Sequence, residues 1–282
     1  MSSILTHRER DQKRREHVGI ARQGADAGLR SDLMIARPTI LAYHAVGTVG
    51  SAEDPLKLFL PPEVFAKQMS YLARHRRVVP LSEVVDGRYR HGRPLVAITF
   101  DDGYRCLLDH ALPVLEKYGF PATLFVPTGA IGDRNRWDLD PPPIGLDVMS
   151  IEELKEVDAR GFSVESHGHG HINLAASTTR SATDDLASSV NILTHIVGRA
   201  PRFLAYPWGR VTNDVENTVS NLGFVAAFTI GIRDGGLFAR ARIPIRRVNA
   251  AWQFRLQTSG YWPALRFSRI GYPIRAIAKA FK

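Results

Sequence analysis

Two adjacent aspartates at the end of an apolar segment are the first residues in this sequence that could do chemistry. The stretch VAITFDDGY, residues 96–104, is almost continuously apolar until it reaches Asp101 and Asp102. Such a segment is typical of a strand buried on both faces in a parallel sheet. Neighbouring side chains of a regular strand point to opposite faces, but Gly103 permits a sharp turn after which both carboxylates can face one cleft. The alternative is an ordinary Asp-Asp-Gly turn or a helix N-cap.

A second group of polar residues follows another apolar segment. The stretch ESHGHGHINL, residues 165–174, places His167, His169 and His171 in alternation with glycines. One histidine alone is more often a packed or surface residue, but a His-x-x-x-His pair together with a strand-end aspartate is a sharper signal. Neutral imidazoles and a carboxylate suit zinc and similar divalent ions. Two histidines and one carboxylate also leave coordination positions for water and substrate, as a catalytic site requires.

The elements that must position these two groups are strands that alternate with helices. Apolar segments at 38–47, 93–100 and 121–132 each precede a segment with apolar residues at helical spacing, and a last strand is predicted in RIPIRRVNA at 242–250. This alternation favours an α/β fold with a parallel sheet, in which ligands bind at the carboxyl ends of the strands. The length accommodates about seven strand–helix units.

Composition and charge limit the class of protein. The 282 residues are 44% apolar, enough for a sizeable core, and the single cysteine excludes an internal disulfide. The chain has no apolar run of about 20 residues, so no transmembrane helix is expected. The N-terminus lacks the apolar segment of a secretory signal. We therefore expect a cytoplasmic protein, and this is compatible with association with a membrane.

The sequence predicts three regions: a flexible polar extension at 1–37, a catalytic domain at 38–255 and a basic tail at 256–282. Residues 233–282 contain 11 basic residues and one acid, so the rest of the chain sums to a net charge of −1. In the stretch 272–282, apolar and basic residues fall on opposite sides of a short helix, which predicts contact with an anionic membrane surface. The alternative is a terminal helix docked on the body of the protein. Nucleic-acid binding is not expected, because only the positive charge of the tail favours it and the sequence contains no recognition motif.

Together the two motifs resemble the NodB-type polysaccharide deacetylases, carbohydrate esterase family 4. TFDDGY, followed by HGHGH 65 residues after Asp102, resembles the first two family motifs, with Gly168 in place of the usual hydroxyl residue. AYPWG at 205–209 is loosely similar to the third. The resemblance covers about residues 38–250 and implies a distorted (β/α)7 barrel with parallel strands. It also implies removal of acetyl groups, N-acetyl in the first place, from a polysaccharide, an oligosaccharide or a glycan precursor.

The resemblance assigns roles to individual residues. Asp101 would be the general base that activates the attacking water, and the backbone N–H near Tyr104 would help to hold the oxyanion. The metal, Zn²⁺ in the first place and Co²⁺ or Ni²⁺ otherwise, would be bound by Asp102, His167 and His171. Trp137 and Trp208 are candidates for binding sugar faces, with ordinary packing as the alternative. Trp208 adjoins the third motif and is the better placed for the cleft, which Tyr206 could also line.

Two departures from the family pattern leave roles to be filled. The usual Leu-x-His acid near the C-terminus is missing, because no histidine follows His195. The circularly permuted exopolysaccharide N-deacetylases carry the equivalent strand at the N-terminus, and ILAYHAV at 40–46 resembles it, so His44 becomes the expected acid. His169 is the second candidate. The third motif also lacks the arginine that orients the base, and either Arg247 or Arg246 could supply it or be a surface charge.

Two other functions are compatible with the same residues. A deformylase or another C–N amide hydrolase would use the same metal site on a different acyl group. A catalytically weak carbohydrate-binding protein would explain the missing C-terminal histidine. The complete metal set and the intact Asp101 favour an enzyme over the binding protein.

Overall fold

Seven parallel strands close into a barrel in the computed structural model of the chain, which describes residues 37–50, 54–87, 92–137, 145–231 and 235–262. The strands are β1 (Thr39–Tyr43), β2 (Ala45–Val46), β3 (Phe59–Leu60), β4 (Arg77–Val78), β5 (Leu95–Phe100), β6 (Thr123–Val126), β7 (Ser163–Ser166), β8 (Phe203–Ala205), β9 (Ala226–Ile230) and β10 (Arg240–Pro244). The helices are α1 (Pro62–His75), α2 (Leu81–Val85), α3 (Cys106–His110), α4 (Leu112–Tyr118), α5 (Ile151–Ala159), α6 (Thr179–Val197), α7 (Asn213–Asn221) and α8 (Ala251–Gln257).

The first strand closes the ring. β1 pairs with β5 in the register Thr39↔Val96 to Tyr43↔Phe100, and on its other side it pairs with β10. From β5 the order continues through β6, β7, β8 and β9 to β10, while β4 lies beside the start of β5. The predicted α/β barrel with parallel strands is therefore confirmed. Closure brings the carboxyl ends of β1, β5 and β10 together, although β10 lies far from the other two in the sequence.

The strands are buried on both faces, as their continuous apolar composition predicts. Every residue of β1 and of β5 is buried. Alternate residues of the strands fill a cluster of their own, which includes Ile40, Ala97, Phe125 and Phe228. The intervening residues pack against the helices in a larger cluster. Polar side chains that lie beside the first cluster, inside the barrel, therefore need hydrogen-bonding partners there.

Local residue chemistry sets the ends of several helices. At the start of α5, the hydroxyl of Ser150 accepts the Glu153 N–H at 3.2 Å and the Glu153 carboxylate accepts the Ser150 N–H at 3.0 Å, which forms a capping box. The helical segment after β5 is divided into α3 and α4, just before Pro113. It ends at Gly119, which has φ of +62°.

Of the three predicted regions, the extension and most of the tail concern the two ends of the chain. Residues 1–36 and 263–282 lie outside the described residues, so the extension and the amphipathic helix at 272–282 stay predictions. Helix α8 spans the predicted boundary at 255/256. Phe254 and Trp262, on either side of that boundary, are both buried in the core. Within the described ranges, no helix has the length and apolarity needed to cross a membrane.

Candidate active site

The turn after β5 separates the two aspartates. The N–H of Asp101 donates to the carbonyl of Tyr43 at 2.9 Å, so the β1–β5 ladder extends one residue beyond the strand. Asp102 and Gly103 then adopt φ of +69° and +62°. This left-handed conformation is uncommon for a residue with a side chain and is characteristic of functional turns. A Cβ at Gly103 would lie 3.0 Å from the side chain of Val126, so both the conformation and the space favour glycine.

Three buried side chains present donor atoms to one point. Oδ1 of Asp102 lies 3.5 Å from Nε2 of His167 and 3.3 Å from Nε2 of His171. Tetrahedral ligands bound at about 2.1 Å are separated from each other by about 3.4 Å. Within the described part of the chain, Oδ1 accepts no hydrogen bond although it is buried. The spacing, the donor types and the unsatisfied oxygen all fit a divalent metal ion.

His167 is held in the tautomer that a metal ligand needs. Its Nδ1 lies 2.7 Å from the carbonyl of Ala205. Because a carbonyl oxygen can only accept, Nδ1 carries the proton and Nε2 presents a lone pair towards Asp102. Burial lowers the pKa of His167 to about 4, which keeps the ring neutral at neutral pH. The neighbouring charges of Asp101 and Asp102 oppose this shift without cancelling it.

His171 packs against two tryptophans. It has φ of +50°, again in the left-handed region. Its ring stacks on Trp137 with centroids 4.5 Å apart and lies 5.5 Å from the ring of Trp208. The Trp208 Nε1–H donates to the carbonyl of His171 at 3.3 Å. Trp208 is 47% exposed, so an apolar ring face borders the metal centre at the surface.

Asp101 is bound by an arginine that the sequence reasoning missed. Nη1 and Nη2 of Arg242, in β10, donate to its two carboxylate oxygens at 2.6 and 2.8 Å. Nη1 also donates to Oγ1 of Thr99 at 3.0 Å, and Arg242 is completely buried. Burial is the largest single effect on the pKa of Asp101 and opposes ionisation, but the charge and hydrogen bonds of Arg242, together with the nearby His167 and His44, outweigh it, and the pKa is lowered. Asp101 is therefore an anion, and it is not one of the three candidate metal ligands.

The expectation that Arg247 or Arg246 orients the base is wrong. Nη2 of Arg247 lies 3.6 Å from the carboxylate of Asp54, and its Nη1 donates to the carbonyl of Val49. Arg246 is exposed. Both residues follow the end of β10 at Pro244, whereas Arg242 lies within the strand on its buried face. The signal was available in the sequence, because a charged residue inside a strand of a closed barrel requires a buried partner.

His44 lies beside the base. It follows the last residue of β1, and its Nε2 is 4.0 Å from Oδ2 of Asp101. Its side chain is 19% exposed, so it is the more accessible of the two groups. The structure therefore brings together His44, Asp101 and the three metal-binding candidates. The second candidate for the acid, His169, lies apart from this group, with its Nδ1 2.9 Å from Oγ1 of Thr128.

Two predicted tyrosines do not present their side chains to the cleft. Tyr206 is buried in an apolar cluster, and its hydroxyl donates to the carbonyl of Phe238 at 2.8 Å. The suggestion that Tyr206 lines the cleft is therefore wrong. The side chain of Tyr104 is also buried, and its hydroxyl accepts from Nδ2 of Asn135 at 3.4 Å. The role expected at Tyr104 involves its backbone and stays a prediction.

The comparisons with known proteins agree with this geometry. Residues 88–227 match the family model for polysaccharide deacetylase. This region, about half of the chain, belongs to the polysaccharide deacetylases, carbohydrate esterase family 4, whose enzymes depend on a divalent metal ion. The matched range contains both carboxylates and both candidate metal-binding histidines, but it includes neither His44 nor Arg242.

Individual relatives cover most of the same region. The Bacillus subtilis protein YxkH is 26% identical over 214 residues, 74% of this chain and 72% of that protein. A poly-beta-1,6-N-acetyl-D-glucosamine N-deacetylase of Staphylococcus aureus is 28% identical over 59% of this chain and 59% of its own length, so this chain spans less than two thirds of that enzyme. The structure of IcaB from Ammonifex degensii has a TM-score of 0.67 and 26% identity, with coverage of 81% of this chain and 97% of that chain.

The buried ion pair generates a stability prediction. Arg242→Met leaves the Asp101 carboxylate buried without its cation, which we expect to lower the free energy of unfolding by about 3–5 kcal/mol. Arg247→Met removes a partly exposed partner of Asp54 and should cost about 1 kcal/mol or less. Denaturant titration of the two variants measures both values. Equal losses would contradict the assignment of Arg242 as the partner of Asp101.

Proposed function

We propose that this chain is a metal-dependent deacetylase that removes N-acetyl groups from an acetylated glycan, with a polymer of N-acetylglucosamine as the first candidate. One observation carries the proposal: Asp102, His167 and His171 direct three donor atoms to one point, while Asp101 stays off that set and is held by Arg242. The staphylococcal relative, a poly-beta-1,6-N-acetyl-D-glucosamine N-deacetylase, supports the choice of an N-acetylated polymer.

The three donor side chains would hold the ion. Two imidazole nitrogens and one carboxylate oxygen suit Zn²⁺, and Co²⁺ or Ni²⁺ accept the same donors. When bound, a divalent ion would polarise the acetyl carbonyl and lower the pKa of a water molecule. An amide carbonyl is a poor electrophile, so both effects are needed for hydrolysis.

Asp101 and His44 would divide the proton transfers between them. Asp101 is ionised and buried beside the metal-binding group, so it can take the proton of the attacking water. Arg242 fixes both of its oxygens and keeps it from rotating onto the ion. His44 lies within 4.0 Å of Asp101 on the accessible side and, when protonated, can donate to the leaving amine.

The sugar would bind against the exposed indole at the edge of the site. Trp208 is anchored through its Nε1–H to the carbonyl of His171, which fixes the orientation of its ring. Trp137 stacks on the ring of the same histidine and is only partly exposed. An indole face binds the apolar face of a pyranose ring, so Trp208 is the better placed of the two for substrate.

The general base generates the main test of function. After chelation and return of Zn²⁺, the wild-type chain should release acetate from oligomers of N-acetylglucosamine. Asp101→Asn should lower this rate by at least about 100-fold, because the proton acceptor is lost. Its metal content should match that of wild type, since Asp101 is not a ligand. His167→Ala is the control, because it should lose both metal and activity.

The outcomes of this test separate the alternative functions. Release of formate but not acetate from acylated sugars would identify a deformylase of the same fold. Metal binding without hydrolysis of any acylated sugar would indicate a carbohydrate-binding protein. A fully active Asp101→Asn variant would remove Asp101 from the mechanism.

The proposed acid generates a prediction about the leaving group. His44→Ala should slow amide hydrolysis by roughly 100-fold, because an amine leaves only after it gains a proton. Hydrolysis of O-acetyl esters, for example in acetylated xylan, should fall much less, since an oxygen leaving group depends less on protonation. Parallel acetate-release assays on the two substrates measure the ratio. An unchanged ratio would mean that His44 is not the acid.

The exposed indole generates a prediction about substrate affinity. Trp208→Ala should raise KM by roughly three- to tenfold, the loss expected for one aromatic contact. Trp208→Phe, which keeps an aromatic face, should recover part of the affinity. The matched control is Trp252→Ala, which removes another exposed tryptophan, on helix α8. Equal effects of the two alanine variants would contradict a sugar-binding role for Trp208.

We also infer peripheral contact with an anionic membrane surface through the C-terminal region. Val248 and Trp252 are 61% and 51% exposed, and Arg246 and Arg255 beside them are exposed as well. The range 263–282 adds five basic residues and no acid. Exposed tryptophan with flanking arginine is a combination that favours the interface of a bilayer with anionic lipid.

Vesicle co-sedimentation tests this contact. The full chain should pellet with vesicles that contain phosphatidylglycerol and not with pure phosphatidylcholine, and salt should weaken the binding. Deletion of 263–282 and the change Trp252→Ser should each reduce pelleting. Leu237→Ser is the matched control, since Leu237 is another exposed apolar residue. Equal pelleting with both lipids would contradict the inference.

A further inference from the structure

The loop that carries both metal-binding histidines has a glycine where the family pattern has a hydroxyl residue. Gly168 adopts φ of +76°, and a Cβ at this position would lie 2.7 Å from Oδ2 of Asp185. A serine or threonine would therefore be both strained and in contact with a carboxylate. The carboxylate of Asp185, which extends from helix α6, lies in the space that the side chain of a hydroxyl residue would need.

Asp185 accepts two consecutive backbone N–H groups of this loop. The N–H of His169 donates to its Oδ2 at 2.8 Å, and the N–H of Gly170 donates to its Oδ1 at 2.7 Å. Asp185 is 9% exposed, and it forms no salt bridge with any described basic residue. The two backbone dipoles are therefore the groups that stabilise this carboxylate, an arrangement that gives short and strong hydrogen bonds.

The turn after β6 holds the same loop from the other side. The N–H of Thr128 donates to the carbonyl of Gly168 at 3.1 Å, and the N–H of Gly129 donates to the carbonyl of His169 at 2.9 Å. Oγ1 of Thr128 also contacts Nδ1 of His169 at 2.9 Å. These bonds fix the carbonyls of the loop, whereas Asp185 fixes its N–H groups.

We propose that Asp185 is a positioning residue that presets the 167–171 loop for metal binding. His171 directly follows the second N–H that Asp185 accepts, and it has φ of +50°. A non-glycine residue persists in this conformation only where its surroundings hold it. Without Asp185 the loop has to be ordered when the ion binds, and the cost of that ordering lowers the affinity. The inference rests on the proposed metal centre.

Metal affinity separates this role from a structural one. Asp185→Ala should weaken binding of Zn²⁺ by at least roughly tenfold in a chelator competition assay, the effect typical of residues that hold metal ligands in place. Asp185→Asn keeps one acceptor oxygen and should lose less. The matched control is Asp184→Ala, which removes the neighbouring, largely exposed carboxylate and should leave affinity unchanged. Thermal unfolding of each metal-free variant shows whether the fold persists.

Wild-type affinity in a folded Asp185→Ala variant would overturn the proposal, and so would an equal loss in Asp184→Ala. If Asp185→Ala does not fold, Asp185→Asn provides the comparison with Asp184→Ala. Failure of the wild-type chain to bind Zn²⁺ would instead overturn the proposed metal centre, so the two failures are distinguishable.

A double-mutant cycle tests the direct contact. Gly168→Ala should weaken metal binding in the wild-type background, because the new Cβ contacts Oδ2 of Asp185 and because φ is positive. In the Asp185→Ala background only the second cause persists, so the further loss should be smaller. Strictly additive losses would contradict the direct contact between Asp185 and the loop.

Discussion

Two neighbouring carboxylates lie buried at the end of β5, and each needs its own positive charge. Arg242 supplies one to Asp101 through a bidentate pair. Asp102 has no arginine or lysine partner among the described residues; it contacts the imidazoles of His167 and His171, and burial keeps that of His167 neutral. A buried anion without a compensating charge is strongly unfavourable. A divalent ion at Asp102 would satisfy this constraint, and the proposed division of roles follows from it: one carboxylate would bind the ion and the other would stay available for a proton.

The barrel is what makes this division of charge workable. Asp101 lies after β5, and Arg242 reaches it from β10, although 141 positions separate them in the chain. Only the insertion of β1 between these two strands brings them together. The same closure puts His44, at the end of β1, next to Asp101. The proposed base, the proposed acid and the arginine thus come from three adjacent strands, while the two candidate metal-binding histidines follow β7.

The barrel and the candidate metal-binding residues could be predicted from the sequence because both have local signals. Continuous apolar strands indicate a parallel sheet, and polar groups directly after such strands meet at one end of it. Arg242 was missed because its position inside a strand signals a buried partner but does not identify it: the pairing with Asp101 depends on barrel closure, which no local pattern encodes. Tyr206 and Trp208 are two residues apart, yet one is buried and the other exposed. The left-handed turn at Trp208 decides this difference, and the residue types around it do not reveal it.

The most direct test of this account is anomalous diffraction from crystals of the chain grown with Zn²⁺, recorded at the zinc absorption edge. If Asp102, His167 and His171 bind the ion, one strong peak will lie at about 2.0–2.2 Å from Oδ1 of Asp102 and from Nε2 of both histidines, with Asp101 still paired to Arg242. A peak elsewhere in the molecule, with these three side chains unligated, would contradict this assignment. So would an ion bound by Asp101 in place of Asp102.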